Sequence, residues 1–238
     1  MRFTIILTGT ALCTLLLFLA GCSDVPSTAP EFPDFRTQTR FINVAVDVGD
    51  VELFMELAAE TGDFSSLASI EMEGNTSYMD LPAGNRRLFV TSGGTMVDED
   101  TTRLSLETDA KTTIVVLPKP TAADRRFANF RERRVFDPLP AGTGQVRFIN
   151  ASIETGSFVI FDTNADTVVV SNLARAGNTG YRNFSGSFTF GVAATDTTEV
   201  LTTEQVDVGN GQRFTFVILG DEANLGLKSF QDDPAPQQ

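Results

Sequence analysis

Arg40-Phe41-Ile42-Asn43 and Arg147-Phe148-Ile149-Asn150 share the sequence RFIN. The correspondence continues in order along the chain, and the apolar run TTIVVL at 112–117 parallels FTFVIL at 214–219. An interval of roughly 100 residues fits a small domain and is too long for a solenoid repeat. The sequence therefore predicts two copies of one module.

Each copy has the residue pattern of short β-strands. In VELFMEL at 51–57, apolar residues alternate with Glu52 and Glu56, which is the period expected when one face of a sheet is buried. Turn sequences separate such runs, as in LPAG at 81–84 and GNG at 209–211. The pattern predicts an all-β fold of two tandem antiparallel β-sandwich modules. Only 54–66 hints at a helical turn.

The repeat and the composition divide the chain into six segments. Residues 125–137 align with 225–233, which makes them the last strand of the first module and not a linker. The predicted segments are a signal peptide (1–21), a proline-rich tether (22–38), module 1 (39–137), a linker (138–144), module 2 (145–233) and a C-terminal tail (234–238).

The amino terminus has the features of a lipoprotein signal peptide. Arg2 precedes an uncharged apolar run, and LAGC at 19–22 has the small residues and the cysteine of a lipidation site. We expect cleavage before Cys22 and attachment of lipid to its thiol, which would hold the protein at a membrane. Ser23 favours the outer membrane of a Gram-negative envelope. The alternative is that 3–21 remains as a membrane-spanning helix.

The residue types that are absent limit the chemistry of the mature chain. Cys13 leaves with the signal peptide, Cys22 carries lipid, and the sequence contains no histidine. Imidazole-based triads, thiol nucleophiles and thiolate zinc sites therefore have no residues to build them. We expect no enzyme activity and no cofactor. The net charge of −13 also disfavours nucleic acid as a partner.

Both modules resemble an immunoglobulin-like domain-of-unknown-function family of bacterial cell envelopes. Its members open with R-[VF]-[VI]-[NH]-A-S, and RFINAS at 147–152 matches this opening. Module 1 lacks the A-S pair but keeps VDV at 46–48, Tyr78 and LPAG at 81–84. Module 2 has FSG at 184–186 in place of the second motif. The resemblance implies an envelope location and a sandwich fold, without an established reaction.

An arginine-rich stretch is the candidate contact for a polyanion. It contains Arg125, Arg126, Arg131, Arg133 and Arg134, with Phe127 and Phe130 between them. The guanidinium group of arginine binds phosphate, sulfate or carboxylate groups through two parallel hydrogen bonds. The alternative is a solvated strand edge whose charges prevent aggregation.

Four other features have a structural interpretation beside a functional one. Asn43 and Asn150 are expected to fix a neighbouring loop by hydrogen bonds to its backbone, and not to contact a ligand. Tyr78 and Tyr181 are expected to be packed anchors and not binding platforms. DTNAD at 162–166 resembles the start of a calcium loop but lacks the later ligands, so a hairpin turn is expected. DED at 98–100 is expected to be a solvated loop tip.

These features together indicate a lipid-anchored, non-enzymatic envelope protein whose modules bind a protein or a glycan. One alternative is a structural spacer that holds another surface component away from the membrane. Another is a weak carbohydrate- or calcium-binding module, although the absence of tryptophan disfavours sugar stacking.

Overall fold

A computed structural model describes residues 35–57, 62–98, 101–133, 138–154, 156–195 and 199–233. Residues 35–238 form one compact unit that contains both modules. The signal peptide, Cys22 and most of the predicted tether lie outside the described residues. No described helix is long and apolar enough to span a membrane.

Module 1 is a sandwich of two sheets. Its strands are β1 (Arg36–Asn43), β2 (Val51–Glu56), β3 (Phe64–Ile70), β4 (Met79–Pro82), β5 (Gly84–Ser92), β6 (Thr95–Met96), β7 (Thr102–Leu106), β8 (Ala110–Val116) and β9 (Phe127–Arg133). One sheet has the order β4-β1-β8-β9, and we call it the inner sheet because it packs against module 2. The other, the outer sheet, has the order β3-β2-β5-β6, with β7 also paired to β5. The strand β1 begins within the segment predicted to be the tether.

Module 2 repeats this arrangement. Its strands are β10 (Gly144–Asn150), β11 (Ser157–Asp162), β12 (Thr167–Ala174), β13 (Arg182–Phe184), β14 (Gly186–Ala194), β15 (Thr202–Val208), β16 (Arg213–Leu219) and β17 (Gly226–Asp232), with a 3-10 turn at Glu222–Asn224. The inner sheet has the order β13-β10-β16-β17, and the outer sheet has the order β12-β11-β14-β15. The predicted all-β sandwich is confirmed, and β9 and β17 are the last strands of their modules.

Two features differ from the sequence pattern. Each inner sheet contains one parallel pair, β1 with β8 and β10 with β16, beside its antiparallel pairs. The helical turn suggested within 54–66 is wrong for its described ends, because Phe54–Glu56 belong to β2 and Phe64–Ser66 belong to β3.

The two inner sheets pack against each other. Alternate residues of a strand point to opposite faces, so Phe41 enters the core of module 1 while Ile42 enters a third core between the modules. Ile149 takes the matching place in module 2, whose own core surrounds Phe148. Because the central strands are buried on both faces, they read as nearly continuous apolar runs.

Candidate functional site

The arginines of the two RFIN motifs lie between the modules, where both donate hydrogen bonds to the same two threonines. Arg40 donates from Nε to Thr113 Oγ1 (3.1 Å) and from Nη2 to Thr215 Oγ1 (2.8 Å). Arg147 donates from Nε to Thr215 Oγ1 (2.7 Å) and from Nη2 to Thr113 Oγ1 (2.6 Å). Each arginine therefore bonds one threonine of its own module and one of the other, in a pseudo-symmetric arrangement.

Two carboxylates complete a buried ion-pair cluster. Glu132 lies 2.6 Å from Arg147 Nη1 and 2.9 Å from Arg213 Nη2, and Asp232 pairs with Arg40. These five side chains are at most 4% exposed. Breaking a buried pair by removal of one partner costs far more than breaking an exposed pair, because the other charge stays buried. The charges of the cluster thus join the two modules.

Tyr78 and Tyr181 cover the cluster from its edges. The Arg213 guanidinium lies 3.6 Å from the Tyr181 ring centre, and that of Arg40 lies 5.3 Å from the Tyr78 ring centre. Burial raises the pKa of Tyr181, so its phenol stays protonated and donates hydrogen bonds to Asp232 and to Glu132. The prediction that the tyrosines are packed anchors is confirmed.

The two motif asparagines hold loops. Asn43 Nδ2 donates to the carbonyls of Gly49 (2.8 Å) and Ile70 (3.2 Å), and its Oδ1 accepts from the Ala45 amide. Asn150 Nδ2 donates to the Leu173 carbonyl at 2.9 Å. The structural interpretation of both asparagines is confirmed.

The arginine-rich stretch does not form one stripe. Arg126 is buried and donates to both oxygens of Asp47, to Asp98 and to the Leu117 carbonyl. Its assignment to a polyanion contact is therefore wrong, because its donors are used inside the module. The prediction that Asp98 lies at a solvated tip is also wrong. Burial opposes its ionisation, but the bonds and charges of Arg126 and Lys119 lower its pKa.

The other arginines of the stretch lie apart. Arg131 is exposed and pairs with Glu107, while Arg125 is exposed beside an open groove of about 1160 Å³. The side chain of Arg133 and all of Arg134 lie outside the described residues, as do Glu99 and Asp100. The strand β9 is an edge strand, as the alternative interpretation expected.

The DTNAD segment forms the hairpin turn between β11 and β12. Asp162 Oδ1 accepts from the Asn164 amide at 3.0 Å, and Asp166 has a φ of 49°, which suits a tight turn. The turn prediction is confirmed. Among the described residues, no group of three or more acidic side chains is placed to hold a metal ion.

The outer sheet of module 1 carries an aromatic surface that the sequence analysis missed. Phe54 lies between two core residues of β2, so its ring points away from the core. The rings of Phe54 and Phe89 stack with centres 4.9 Å apart, and Phe64 meets Phe89 edge-on at 5.0 Å. We call Phe54, Phe64 and Phe89 the phenylalanine face. All three are half-buried, and none belongs to the core of module 1.

A charged cavity adjoins the phenylalanine face. Glu56 binds Arg87 through two hydrogen bonds of 2.8 and 2.6 Å and accepts the Gly62 amide at 2.7 Å. The bonds from Arg87 and Gly62 lower the pKa of Glu56 to about 2. Arg87 also stacks on the Phe64 ring at 5.3 Å. The cavity, of about 290 Å³, is lined by Glu56, Asn85, Arg86, Arg87 and Arg103.

Module 2 has no equivalent of the phenylalanine face. In module 1, Phe54 pairs with Phe89 across β2 and β5. The matching pair in module 2 is Phe161 with Gly191, and Val168 occupies the next strand. The sandwich therefore forms without these rings, and the signal in the sequence was the apolar Phe54 at a position where the alternation expects a polar residue.

The fold and its interface define a class of protein: two β-sandwich modules fused through facing inner sheets, with a buried ion-pair cluster between them. The sequence model of the family described as "Domain of unknown function (DUF4397)" matches residues 37–161 and 144–238. The chain belongs to this family, and the two matches confirm the tandem arrangement. No curated protein is significantly similar to the chain.

Several solved structures show weak similarity. "The Bacillus anthracis TIE protein" has 12% identity and a TM-score of 0.28, and the match covers 78% of this chain and 34% of that one. A streptococcal virulence factor that binds α-glucan has 12% identity and a TM-score of 0.25, with coverage of 79% and 95%. Streptococcal family 41 carbohydrate-binding modules have 11% identity and a TM-score of 0.26, with coverage of 82% and 97%.

Proposed function

We propose that this chain is a lipid-anchored, non-enzymatic protein of the cell envelope that binds a protein or glycan through the outer sheet of module 1. The observation that carries the proposal is the phenylalanine face, which lies outside the core and is absent from module 2. An apolar patch that remains partly accessible outside the core is a usual mark of an interaction surface.

The anchor is proposed from the sequence. LAGC at 19–22 follows an apolar signal, and lipid on Cys22 would confine the modules to a membrane surface, in the outer membrane if the envelope is Gram-negative. Mass spectrometry of the native protein tests this step. A cleaved chain with diacylglycerol on Cys22 is expected, and an intact leader or a free thiol would contradict the anchor.

The proposal of a non-enzymatic role is supported by how the buried charges are used. Glu132 and Asp232 are held by arginines within the module interface, and Glu56 is held by Arg87. The pKa of Glu56, lowered to about 2, lies far below the working pH that a general acid must match, and the oxygens of Glu132 and Asp232 are taken up by arginines.

A photo-cross-linking residue placed on the outer sheet tests the binding function in cells. Ser66 is exposed and pairs with Phe54 across β2 and β3, so a cross-linker there reports on the phenylalanine face. Val168, which is 56% exposed on the outer sheet of module 2, is the matched control. We expect one recurring adduct from position 66 and none from position 168. Equal or absent labelling at both positions would contradict the proposed surface.

A second candidate function is a spacer, and the fused interface favours it. The buried ion-pair cluster and the third core hold the modules as one body, which suits a fixed distance from the membrane. Replacement of both modules by an unrelated domain of equal length distinguishes the two functions. A spacer would keep its activity in cells after this exchange, whereas a binding protein would lose it.

A further inference from the structure

The phenylalanine face and the cavity beside it form one continuous surface on the outer sheet. Phe64 lies opposite Glu56 across β3 and β2, and Arg87 lies opposite Arg103 across β5 and β7. Phe64, the Glu56–Arg87 ion pair and the exposed Arg103 therefore form one row of side chains across the four strands. Phe54 and Phe89 form the adjacent row.

The lining of the cavity carries more positive than negative charge, although the protein as a whole is acidic. Arg86, Arg87 and Arg103 line the cavity with Glu56 as the carboxylate among its lining residues. Glu56 is engaged by Arg87 and the Gly62 amide, so its charge is already balanced. Arg103 is exposed and forms no ion pair with any described carboxylate. The whole chain, by comparison, has a net charge of −13.

Aromatic rings beside an exposed arginine match the chemistry of an acidic sugar. The apolar faces of sugar rings pack on aromatic side chains, and a guanidinium binds a carboxylate through two parallel hydrogen bonds. The cavity of about 290 Å³ is near the lower end of small-ligand sites, which suits one charged sugar unit of a longer chain.

We propose that the outer sheet of module 1 binds an acidic glycan, with sugar rings on the phenylalanine face and a uronic-acid carboxylate on Arg103. This inference rests on the proposed binding function and names its ligand class. Arg103 selects the acidic group by binding its carboxylate, and the phenylalanine rings contribute affinity by packing on the sugar rings.

Calorimetry with the full chain in detergent and a hexamer of galacturonic acid tests the site. A neutral galactose hexamer is the control ligand. We expect binding of the acidic hexamer only, and we expect Arg103→Gln to weaken it about tenfold or more, the loss of a charge-assisted bond. Raised salt should weaken it further. Arg182→Gln, which changes an exposed arginine of module 2, should leave the affinity unchanged.

Phe54→Leu tests the rings while it keeps apolar volume, and Val168→Ala is its control on the other outer sheet. We expect weaker binding with Phe54→Leu alone, and circular dichroism should show that every variant is folded. Equal binding of both hexamers would overturn the acidic specificity and leave glycan binding standing. Acidic binding that survives both Arg103→Gln and Phe54→Leu would overturn the site.

Two outcomes distinguish a wrong ligand class from a wrong binding surface. If neither hexamer binds while position 66 still cross-links to a protein in cells, the ligand class is wrong and the binding function stands. If neither hexamer binds and no adduct forms from position 66, both proposals are wrong.

Discussion

At the scale of single residues, strand alternation decides what each side chain of the RFIN motif does. Arg40 and Ile42 face the other module, while Phe41 and Asn43 face their own core and loops. The same division holds at Arg147–Asn150. A motif of four residues thus supplies both a core and an interface.

Glu132→Gln should destabilise the protein by about 3 to 5 kcal/mol, because it leaves the charges of Arg147 and Arg213 buried without their carboxylate. Glu107→Gln is the control, since Glu107 pairs with Arg131 at the surface, and it should cost less than about 1 kcal/mol. Urea unfolding followed by circular dichroism measures both. Similar losses for the two variants would show that the buried cluster does not stabilise the fold.

Glu56→Gln should flatten the acid limb of the stability curve. Glu56 has a pKa of about 2 in the folded chain against an ordinary value of 4.5, so its stabilising effect is present above pH 4.5. As the pH falls from 4.5 towards 2, the unfolded chain takes up the proton first and that stability is lost. The free energy of unfolding, measured across this range, should fall less steeply in Glu56→Gln than in the wild type.

Arg87→Met is the companion variant, because it removes the main cause of the lowered pKa of Glu56. We expect the free energy of unfolding of Arg87→Met to fall less steeply with falling pH than that of the wild type, as for Glu56→Gln. A wild-type slope in both variants would show that the ion pair does not link folding to pH.

At the scale of elements, the sequence predicted the strands, their duplication and the buried face of β2, but not the direction of the side chains in the arginine-rich stretch. Alternation places Leu53 and Met55 in the core, and the repeat identifies β9 as the counterpart of β17. The arginine-rich stretch failed as one site because Arg126 precedes the strand and turns inward. Side-chain direction before a strand begins depends on tertiary contacts with Asp47 and Asp98, which no local pattern contains.

Gly220→Ala should disrupt the turn that joins β16 to β17. Gly220 has a φ of 87°, and a Cβ there would lie 2.2 Å from the Asn224 carbonyl oxygen. We expect the free energy of unfolding to fall by about 1 to 3 kcal/mol. Gly156→Ala, where a Cβ meets no atom within 4 Å, should change stability by less than about 0.5 kcal/mol. Urea titration of both variants checks this, and equal stability would refute the steric argument.

At the scale of the whole molecule, the duplicated surfaces pair with each other. Sequence analysis predicted two modules joined by a linker, because a repeat reveals that a unit exists twice but not which of its faces meet. Val115 and Val217 enter the third core from equivalent strands, and Glu132 and Asp232 take equivalent places opposite Lys111 and Arg213. The interface is therefore nearly self-complementary, like that of a two-fold symmetric dimer.

Such an interface predicts that the two modules unfold together. Ile149→Asp would bury a carboxylate in the third core while the Phe148 core of module 2 stays intact, so it should separate the modules without unfolding either. Hydrogen exchange with mass spectrometry in increasing urea resolves the two sets of strands. In the wild type the central strands β8 and β16 should share one opening free energy, and in Ile149→Asp they should differ. Val168→Asp, at an exposed site, should behave as the wild type. Separate transitions in the wild type itself would show that the interface adds no cooperativity.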